Sequence, residues 1–211
     1  MANNKWVNDY YTNKARTDNI LARSYYKLQE IDAKFQLFDP AITRTVIDIW
    51  AAPWSWLQYC NHFFESLTDQ KKAQQPPLAV WFDLKQIQLS LPYIHTFQQD
   101  ITEIEAVKNI LQLLHLEHES VDCIISDMAP DTIGMKDIDA LRSVGLIEKT
   151  LWMYEYYLKP WWKFALKVFM GPWFDELVRS LKEQYGHAAI QTFKPKSCRK
   201  TSKETYIVKK A

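Results

Sequence analysis

Four charged residues of this sequence have the types and surroundings that acid–base chemistry requires. Lys167 lies in the middle of an apolar segment, FALKVFMG, that has the composition of a buried strand. A buried ammonium group needs a partner, so this lysine either pairs with a carboxylate or extends to solvent from an edge strand. A desolvated, paired lysine can exchange a proton. The other members of the set are Lys27 in RSYYKL, Asp127 in SDMAP and Glu204 in TSKETYIV.

Acidic residues also mark the ends of three predicted strands, where parallel sheets bind their ligands. Asp83 and Asp127 directly follow apolar segments, and Asp100 stands near the end of another. A carboxylate after the second strand can accept hydrogen bonds from both hydroxyl groups of a ribose. Asp83 therefore indicates a nucleoside site, although an aspartate at a strand end is more often a helix cap or a turn former.

Helical and strand segments that alternate along the chain must position these residues. Apolar residues recur at the helical spacing in several segments, and short apolar runs lie between them. Strands are predicted at residues 45–49, 78–82, 97–101, 121–126, 164–170, 188–193 and 205–208. Helices are predicted at residues 22–35, 57–67, 103–116, 138–158 and 173–185. This alternation predicts an α/β fold, a mostly parallel sheet with helices on both faces.

The segment VIDIWAAPWSWLQ, residues 46–58, forms the predicted turn from the first strand to the next helix. Such turns usually contain glycine, because a positive φ is cheap only without a Cβ and because a ligand can then lie against bare backbone. Trp50 and Trp54 occupy the tight positions instead. The whole chain has 4 glycines and 9 tryptophans among 211 residues, so any functional interpretation must account for them.

Length and composition favour one domain over residues 1–211, with an N-terminal segment and helix at 1–35 and a core at 45–210. Residues 1–27 carry five basic and two acidic side chains, and residues 187–211 carry seven basic and one acidic. The remainder is acidic, although the total formal charge is only +1. Two basic ends indicate a polyanion contact if the fold brings them together, whereas solvated lysine-rich ends are the simpler alternative.

Several classes of protein are disfavoured by the same sequence. A hydrophobic content of 47% with 24% charged residues is typical of a globular protein. No apolar run approaches the roughly 18 residues that a membrane span needs, and the polar N-terminus lacks the apolar stretch of a signal peptide. Cys60, Cys123 and Cys198 lie far apart without a CxxC pair, which argues against a zinc site or a disulfide framework and fits a reducing cytosol.

Seven segments match the motifs of one family in order and spacing: RSYYKLQEID, VIDIWAAPWSWLQ, SDMAPDTIG, DIDALRS, LKPWWKFALKVFMG, FDE and SKETYIV. The chain resembles the FtsJ/RrmJ family of ribosomal RNA 2′-O-methyltransferases, also called RlmE, from about residue 6 to residue 208. SDMAP, LKVF and SKETYIV together are specific for this family. The resemblance implies a Rossmann-like fold and S-adenosyl-L-methionine as the cofactor.

The resemblance also implies which residues act. The catalytic set falls on Lys27, Asp127, Lys167 and Glu204. The cofactor positions fall on Trp54, Trp56, Asp83, Asp100 and Asp127. Lys167 is the expected base; because an ordinary lysine is mostly protonated at neutral pH, burial or Lys27 must favour its neutral amine. Asp127 is expected to orient it, and Lys27 and Glu204 to steer the hydroxyl group.

The function expected from the resemblance is methylation of a ribose 2′-hydroxyl group, most plausibly of a uridine in large-subunit ribosomal RNA. The expected protein is a cytoplasmic monomer without metal or membrane contact that acts on ribosomal RNA or the large ribosomal subunit. Two alternatives stay open: a transfer-RNA or cap 2′-O-methyltransferase, and a catalytically inactive RNA-binding homologue. The compact chain without an appended domain favours the ribosomal substrate over the first alternative.

All the departures from the family pattern are of the same kind. Tryptophan stands where the family has glycine at Trp50, Trp54, Trp81, Trp161, Trp162 and Trp173. Random mutation should replace these glycines by several residue types, not by tryptophan alone. The codon UGA, however, is read as glycine in some genetic codes and as tryptophan in others. We therefore expect glycine at these positions in the natural protein. The family itself favours tryptophan at Trp6 and Trp56, and Trp152 is undecided.

The expected RNA surface combines the two basic ends. Its basic residues are Lys5, Lys14, Arg16, Arg23, Lys194, Lys196, Arg199, Lys200 and Lys203. Tyr10, Tyr11, Tyr25 and Tyr26 could stack on unpaired bases. The alternative is core packing of the first helix, which we expect for at least two of the four tyrosines.

Overall fold

The computed structural model describes residues 9–49, 54–69, 76–86 and 91–210. Seven strands form one sheet: β1 (Thr45–Ile49), β2 (Leu78–Asp83), β3 (Ile94–Gln98), β4 (Val121–Ser126), β5 (Leu158–Phe169), β6 (Ile190–Phe193) and β7 (Glu204–Lys209). Their order is β3-β2-β1-β4-β5-β7-β6. The strands β1 to β5 pair in parallel, and β7 is antiparallel to β5 and β6. The predicted α/β fold with a mostly parallel sheet is confirmed.

Helices cover both faces of this sheet. They are α1 (Tyr10–Thr17), α2 (Tyr25–Phe35), α3 (Ser55–Asp69), α4 (Ile104–Leu113), α5 (Lys136–Glu148), α6 (Leu151–Tyr157) and α7 (Phe174–Tyr185). One apolar core lies between the sheet and the helices α4 to α7, and a second lies between the sheet and the helices α2 and α3. Because both faces are covered, the central strands are buried along nearly their whole length. In the part of the chain that the structure describes, no helix is both long and apolar enough to cross a bilayer.

Two predicted elements differ clearly from the observed bounds, and one helix was not predicted. The single helix predicted at 138–158 is two helices, because the amide and the hydroxyl of Thr150 both donate to the carbonyl of Ile147 at 2.8 Å and close a tight turn there. The third strand begins at Ile94, three residues earlier than predicted, since it follows β2 in register up to the pair Asp83 and Gln98. The helix α1 was not predicted; Asp9 caps it by accepting the amide of Thr12 at 3.0 Å.

The strand β5 is longer than predicted and begins irregularly. Its register with β4 advances from Leu158 to Lys163 while β4 advances only from Val121 to Cys123. The extra residues at 160–162, which include two of the tryptophans at expected glycine positions, therefore bulge from the ladder. Lys209 holds this bulge by donating to the carbonyls of Pro160 and Trp162 at 3.2 and 2.5 Å.

The two basic ends of the chain meet, which is the condition that the charge pattern set for a polyanion contact. Glu30 of α2 accepts the backbone amides of Lys196 at 2.7 Å and Ser197 at 2.9 Å. The guanidinium group of Arg23 donates to the carbonyl of Ser197 and pairs with Asp9. The basic loop after β6 is thus fastened to the N-terminal helices rather than left in solvent.

Candidate active site

The carboxyl ends of β4 and β5 bring a lysine and a carboxylate together. The parallel register pairs Ser126 with Leu166, so the next residues, Asp127 and Lys167, lie side by side. The Nζ atom of Lys167 lies 3.1 Å from Oδ1 of Asp127, and it also donates to the backbone carbonyl of Asp127. Both side chains are about nine-tenths buried. The lysine is therefore the paired, buried one that the sequence predicted, not one that extends from an edge strand.

A second ion pair completes what we call the lysine–carboxylate cluster: Lys27, Asp127, Lys167 and Glu204. Lys27 on α2 donates to Oε2 of Glu204 at 2.9 Å, and their side chains are 11% and 12% exposed. Glu204 opens β7 opposite Phe169, which places it at the same end of the sheet as Lys167. Four residues separated by up to 177 positions thus form one buried group.

Tyr206 is a member of this site that the sequence analysis missed. Its hydroxyl group donates to Oδ1 of Asp127 at 2.7 Å, and its ring is completely buried. The antiparallel register places it directly opposite Lys167. The alternation of side chains along a strand could have indicated it, because Glu204 and Tyr206 are two residues apart and share a face.

The cluster favours the charged forms of Asp127 and Lys27. Burial alone would raise the pKa of Asp127, but Lys167, Lys27 and the hydroxyl of Tyr206 outweigh burial and hold that pKa below its ordinary value. Burial would lower the pKa of Lys27, yet Asp127 and Glu204 raise it above its ordinary value. Each buried charge is therefore compensated by an opposite one, which is the condition for keeping ions in a core.

A cleft adjoins the cluster at the ends of β2, β3 and β4, and we call it the strand-end cleft. Its volume is about 510 Å³, within the range of small-molecule sites. Asp83 and Asp100 lie in its wall, with the apolar side chains of Ile101, Pro130 and Leu146 around them. Oδ1 of Asp83 accepts the amide of Lys85 at 2.8 Å, which fixes the carboxylate at the strand end. Asp100 is fixed likewise by Thr102.

This composition fits a nucleoside. Apolar walls can enclose a planar base, and carboxylates can accept hydrogen bonds from ribose hydroxyls. The loop after β4 joins the two sites, because Asp127 belongs to the cluster while Ala129 and Pro130 line the cleft. A bound nucleoside derivative would thus have one end near the paired lysine.

The sequence matches the family model of the FtsJ-like methyltransferases over residues 20–211. The chain belongs to this family. Ribosomal RNA large subunit methyltransferase E of Desulforapulum autotrophicum is 39% identical over 208 residues, which cover 97% of this chain and 92% of the relative. The matched region contains every member of the lysine–carboxylate cluster and the three aspartates that line the strand-end cleft, Asp83, Asp100 and Asp131.

Two solved structures resemble this FtsJ-like chain. One, from Plasmodium falciparum, is described as a ribosomal RNA methyltransferase and has 25% identity and a TM-score of 0.69, covering 90% of this chain and 96% of that chain. The other is human methyltransferase-like protein 13 in complex with SAH, with 12% identity and a TM-score of 0.54 over 88% of this chain and 82% of that chain. At that identity the second likeness concerns the fold alone.

The tryptophans at expected glycine positions include two with a left-handed backbone. Trp54 has φ 61° directly before α3, and Trp173 has φ 63° directly before α7. Among the described residues, the other non-glycine positions with positive φ are Asn19, Gln36, His115 and Glu119, which are smaller or polar. A bulky side chain at positive φ is strained by about 1–2 kcal/mol, whereas glycine is not. These are backbone conformations that call for glycine.

Unpaired indole groups distinguish the same set. The indole N–H groups of Trp54, Trp81 and Trp162 are buried without a hydrogen-bond partner among the described residues. By contrast, Trp56 donates its indole N–H to the carbonyl of Ser24 at 2.8 Å. Buried tryptophans usually find such a partner. The indole N–H of Trp56, which the family favours, therefore has a hydrogen-bond partner, whereas those of the three tryptophans at expected glycine positions have none. Trp152 also lacks a partner among the described residues.

Asp48 lies at the centre of this poorly paired region. It is completely buried in β1 directly opposite Trp81 of β2, and neither carboxylate oxygen has a hydrogen-bond partner within the described ranges. Burial raises its pKa well above the ordinary value, and the charge of Asp127 adds to the effect. The charge of Lys167 opposes this rise in pKa without reversing it, so the buried carboxyl group of Asp48 is poorly stabilised as an ion.

The structure brings the expected catalytic residues together and places the expected cofactor residues around them. Trp56 is 2% exposed at the start of α3, and its ring lies 5.8 Å from that of Tyr206. Trp50 and Lys5 lie outside the described residues. Tyr25 and Tyr26 are buried, so core packing is confirmed for these two tyrosines, as expected for at least two of four.

Proposed function

We propose that this chain transfers a methyl group from S-adenosyl-L-methionine to a ribose 2′-hydroxyl group, and that the substrate is a uridine of large-subunit ribosomal RNA. The observation that carries the proposal is the buried pair of Lys167 and Asp127 at the edge of a cleft suited to a nucleoside. Family membership and relatives such as the RNA large subunit methyltransferase E of Desulforapulum autotrophicum support the reaction class.

The chemistry requires a base, because a 2′-hydroxyl group is a weak nucleophile that must lose its proton as it attacks. When bound, the cofactor supplies a methyl group on a positively charged sulfur. We assign Lys167 as the base: after its ammonium group has released a proton to solvent, the neutral Nζ receives the hydroxyl proton, and Asp127 at 3.1 Å stabilises the ammonium ion that forms again. Tyr206 fixes Asp127 through its hydroxyl group. Lys27 and Glu204 steer the 2′-hydroxyl group.

We assign the cofactor to the strand-end cleft and the turn beside it. Asp83 is the group that would accept the ribose hydroxyls, and Asp100 lies in the same wall. Trp54 and Trp56 stand at the start of α3, where the family places the methionine part, and Asp127 borders it. The side chain of Trp54 would occupy space that the methionine part of the cofactor requires.

We further propose that the residue in the natural protein is glycine at the six positions 50, 54, 81, 161, 162 and 173. The positive φ of Trp54 and Trp173 supports this, as do the unpaired indole groups of Trp54, Trp81 and Trp162. Intact mass of the protein purified from its natural source tests it, because each replacement of tryptophan by glycine lowers the mass by a large, fixed amount. A mass that matches the written sequence would refute the proposal.

The RNA surface that we propose consists of the basic loop after β6 and the N-terminal helices that hold it. Lys194, Lys196, Lys200 and Lys203 lie on that loop. Arg23, by contrast, is engaged with Asp9 and Ser197, so its role is to fasten the loop. The protein would act as a cytoplasmic monomer in ribosomal RNA processing and ribosome assembly.

One experiment tests the function directly. Ribose methylation should be mapped across the ribosomal RNA of the natural host with and without the gene, and we expect a single large-subunit uridine to lose its methyl group. Loss of methylation in transfer RNA or at a cap would favour that substrate instead. An unchanged methylation map would favour an inactive RNA-binding homologue.

A further inference from the structure

A second cleft opens between α1, α2 and the end of β6, and we call it the aromatic cleft. Its volume is about 520 Å³, and four aromatic residues line it: Tyr10, Tyr11, Tyr26 and Phe193. Tyr10 is 70% exposed, which is unusual for so large a ring. Lys14, Lys34 and Lys196 also line the cleft. Exposed rings that alternate with cations are typical of surfaces that bind single-stranded nucleic acid.

One ring of this cleft, Tyr10, offers an open face. It meets Tyr11 edge to face, with ring centroids 5.1 Å apart and planes at 81°, and it is 70% exposed. The neighbouring rings are partly covered, because Arg23 lies over Tyr11 and Phe193 contacts the ring of Phe35 at 5.6 Å and 77°. A base could therefore stack on Tyr10 without displacing another side chain.

The charge of the cleft is positive. Lys34 extends its Nζ over the ring of Phe193, 4.3 Å from the centroid, which holds the cation at the rim. The acidic residue in the lining is Glu30, and both of its oxygens accept backbone amides of the basic loop. Those bonds place Lys196 on the opposite rim. Two lysines on either side of aromatic rings suit a phosphate on each side of a base.

The helix α2 connects this cleft to the lysine–carboxylate cluster. Lys27, Glu30 and Lys34 are spaced by three and four residues, so they lie along one stripe of the helix. Lys27 contacts Glu204 of the cluster, while Lys34 is seven residues further, about 10 Å along the helix axis. A strand of RNA with its ribose at Lys167 could follow this stripe into the cleft.

We propose that the aromatic cleft binds an unpaired base of the RNA that flanks the target nucleotide, stacked on Tyr10, with its phosphates contacted by Lys34 and Lys196. This inference rests on the proposed function and specifies how the substrate is held. It also implies that the substrate is single-stranded beside the target, because a base in a duplex cannot reach such a cleft.

Binding of short labelled RNA tests the inference by fluorescence anisotropy. The probes are an oligouridine and an abasic ribose-phosphate strand of the same length. Tyr10→Ala should weaken binding of the oligouridine about tenfold and leave the abasic strand unchanged, because stacking on one ring is lost. Tyr10→Phe should retain the wild-type affinity. Lys34→Gln should weaken both probes and reduce the log–log salt slope by about one.

Matched controls lie elsewhere on the surface. Tyr156→Ala removes another exposed ring, on α6, and Lys182→Gln removes a lysine of α7. Both should bind either probe like the unaltered protein. If Tyr10→Ala and Lys34→Gln behaved like these controls while the protein still bound RNA, the cleft inference would be wrong and the proposed function would stand. If the protein bound neither probe nor ribosomal RNA, the proposed function itself would fail.

Discussion

The lysine–carboxylate cluster and the region around Asp48 differ in how their buried polar groups are paired. In the cluster, both buried lysines lie against carboxylates and Tyr206 donates to Asp127. Around Asp48, a buried carboxylate and the indole groups of Trp54 and Trp81 have no partner among the described residues. The two regions lie in one sheet and join at its carboxyl edge, yet one is fully satisfied and the other is not.

This difference separates two kinds of change in an enzyme. General decay would disturb the catalytic group as readily as the cofactor turn, because neither would be under selection. Here the catalytic group keeps its geometry, whereas three of the buried groups without a hydrogen-bond partner in the described ranges are tryptophans at expected glycine positions. The comparison therefore favours a competent catalytic site that belongs with glycine in the adjoining turn.

The largest expected effect comes from the base in the cluster. In a version with glycine at the six positions, Lys167→Ala should reduce methyl transfer by about 10²–10⁴-fold while cofactor binding survives, because the lost interaction belongs to the transition state. Lys167→Arg should fail nearly as badly, since a guanidinium group keeps its proton. Single-turnover transfer to ribosomal RNA or ribosomal particles measures the rate. An arginine variant that keeps most of the rate would make Lys167 a positioning group.

Asparagine substitutions in the two regions should have opposite effects on stability. Asp127→Asn should destabilise the written chain by about 3–5 kcal/mol, because it leaves two buried lysines poorly compensated. Asp48→Asn should stabilise it by on the order of 1 kcal/mol at neutral pH, because an unpaired buried charge is removed. Urea unfolding measures both, and destabilisation of similar size by the two variants would contradict the comparison.

The pH dependence of these two effects follows from the signs of the pKa shifts. The pKa of Asp127 is lowered by folding, so its stabilisation is present above the unfolded pKa and is lost as the pH falls through the folded value. The pKa of Asp48 is raised, so its carboxylate costs stability as the pH rises from the unfolded value through the folded one. The gain from Asp48→Asn should therefore vanish on acidification, and the loss from Asp127→Asn should shrink.

Cofactor binding should also depend on whether tryptophan or glycine stands at the six positions. The glycine version should bind S-adenosylhomocysteine about 100-fold more tightly than the written chain, because a side chain that fills a site costs up to about 3 kcal/mol to displace. Titration calorimetry on both proteins measures the difference. Trp161→Gly alone is the control, since Trp161 is 68% exposed and should leave binding unchanged. Equal, tight binding by the written chain would remove the argument that Trp54 blocks the site.

The smallest expected effect isolates backbone strain from packing. Trp173 is 52% exposed, so little packing is lost when it is replaced, and its φ is 63°. Trp173→Gly should therefore stabilise the protein by about 1 kcal/mol. Trp161→Gly, at an exposed position in β5 that is not among the positive-φ residues, should not stabilise it. Thermal unfolding compares the two, and a loss of stability at position 173 would show that strain is not relieved there.

The local spacing of apolar residues was enough to predict most of the helices and strands. The bounds of β1 and β4 were predicted to the residue, because short apolar runs between polar turns leave little choice. The break between α5 and α6 was missed, since the apolar spacing continues across Lys149 and Thr150 and only the hydrogen bonds of Thr150 interrupt the helix. The start of β3 was missed because its register is set by β2 rather than by its own residues.

By itself the sequence determined the residue types of the site and the need to pair Lys167, because a buried ammonium group cannot stand alone. It also determined that tryptophan stands where a turn calls for glycine. Only the tertiary structure decided which carboxylate each lysine meets, since strand register and helix packing bring together residues as distant as Lys27 and Glu204. It likewise decided that Tyr206 lies opposite Lys167 and that the aromatic cleft forms, because both depend on which strands and helices are neighbours.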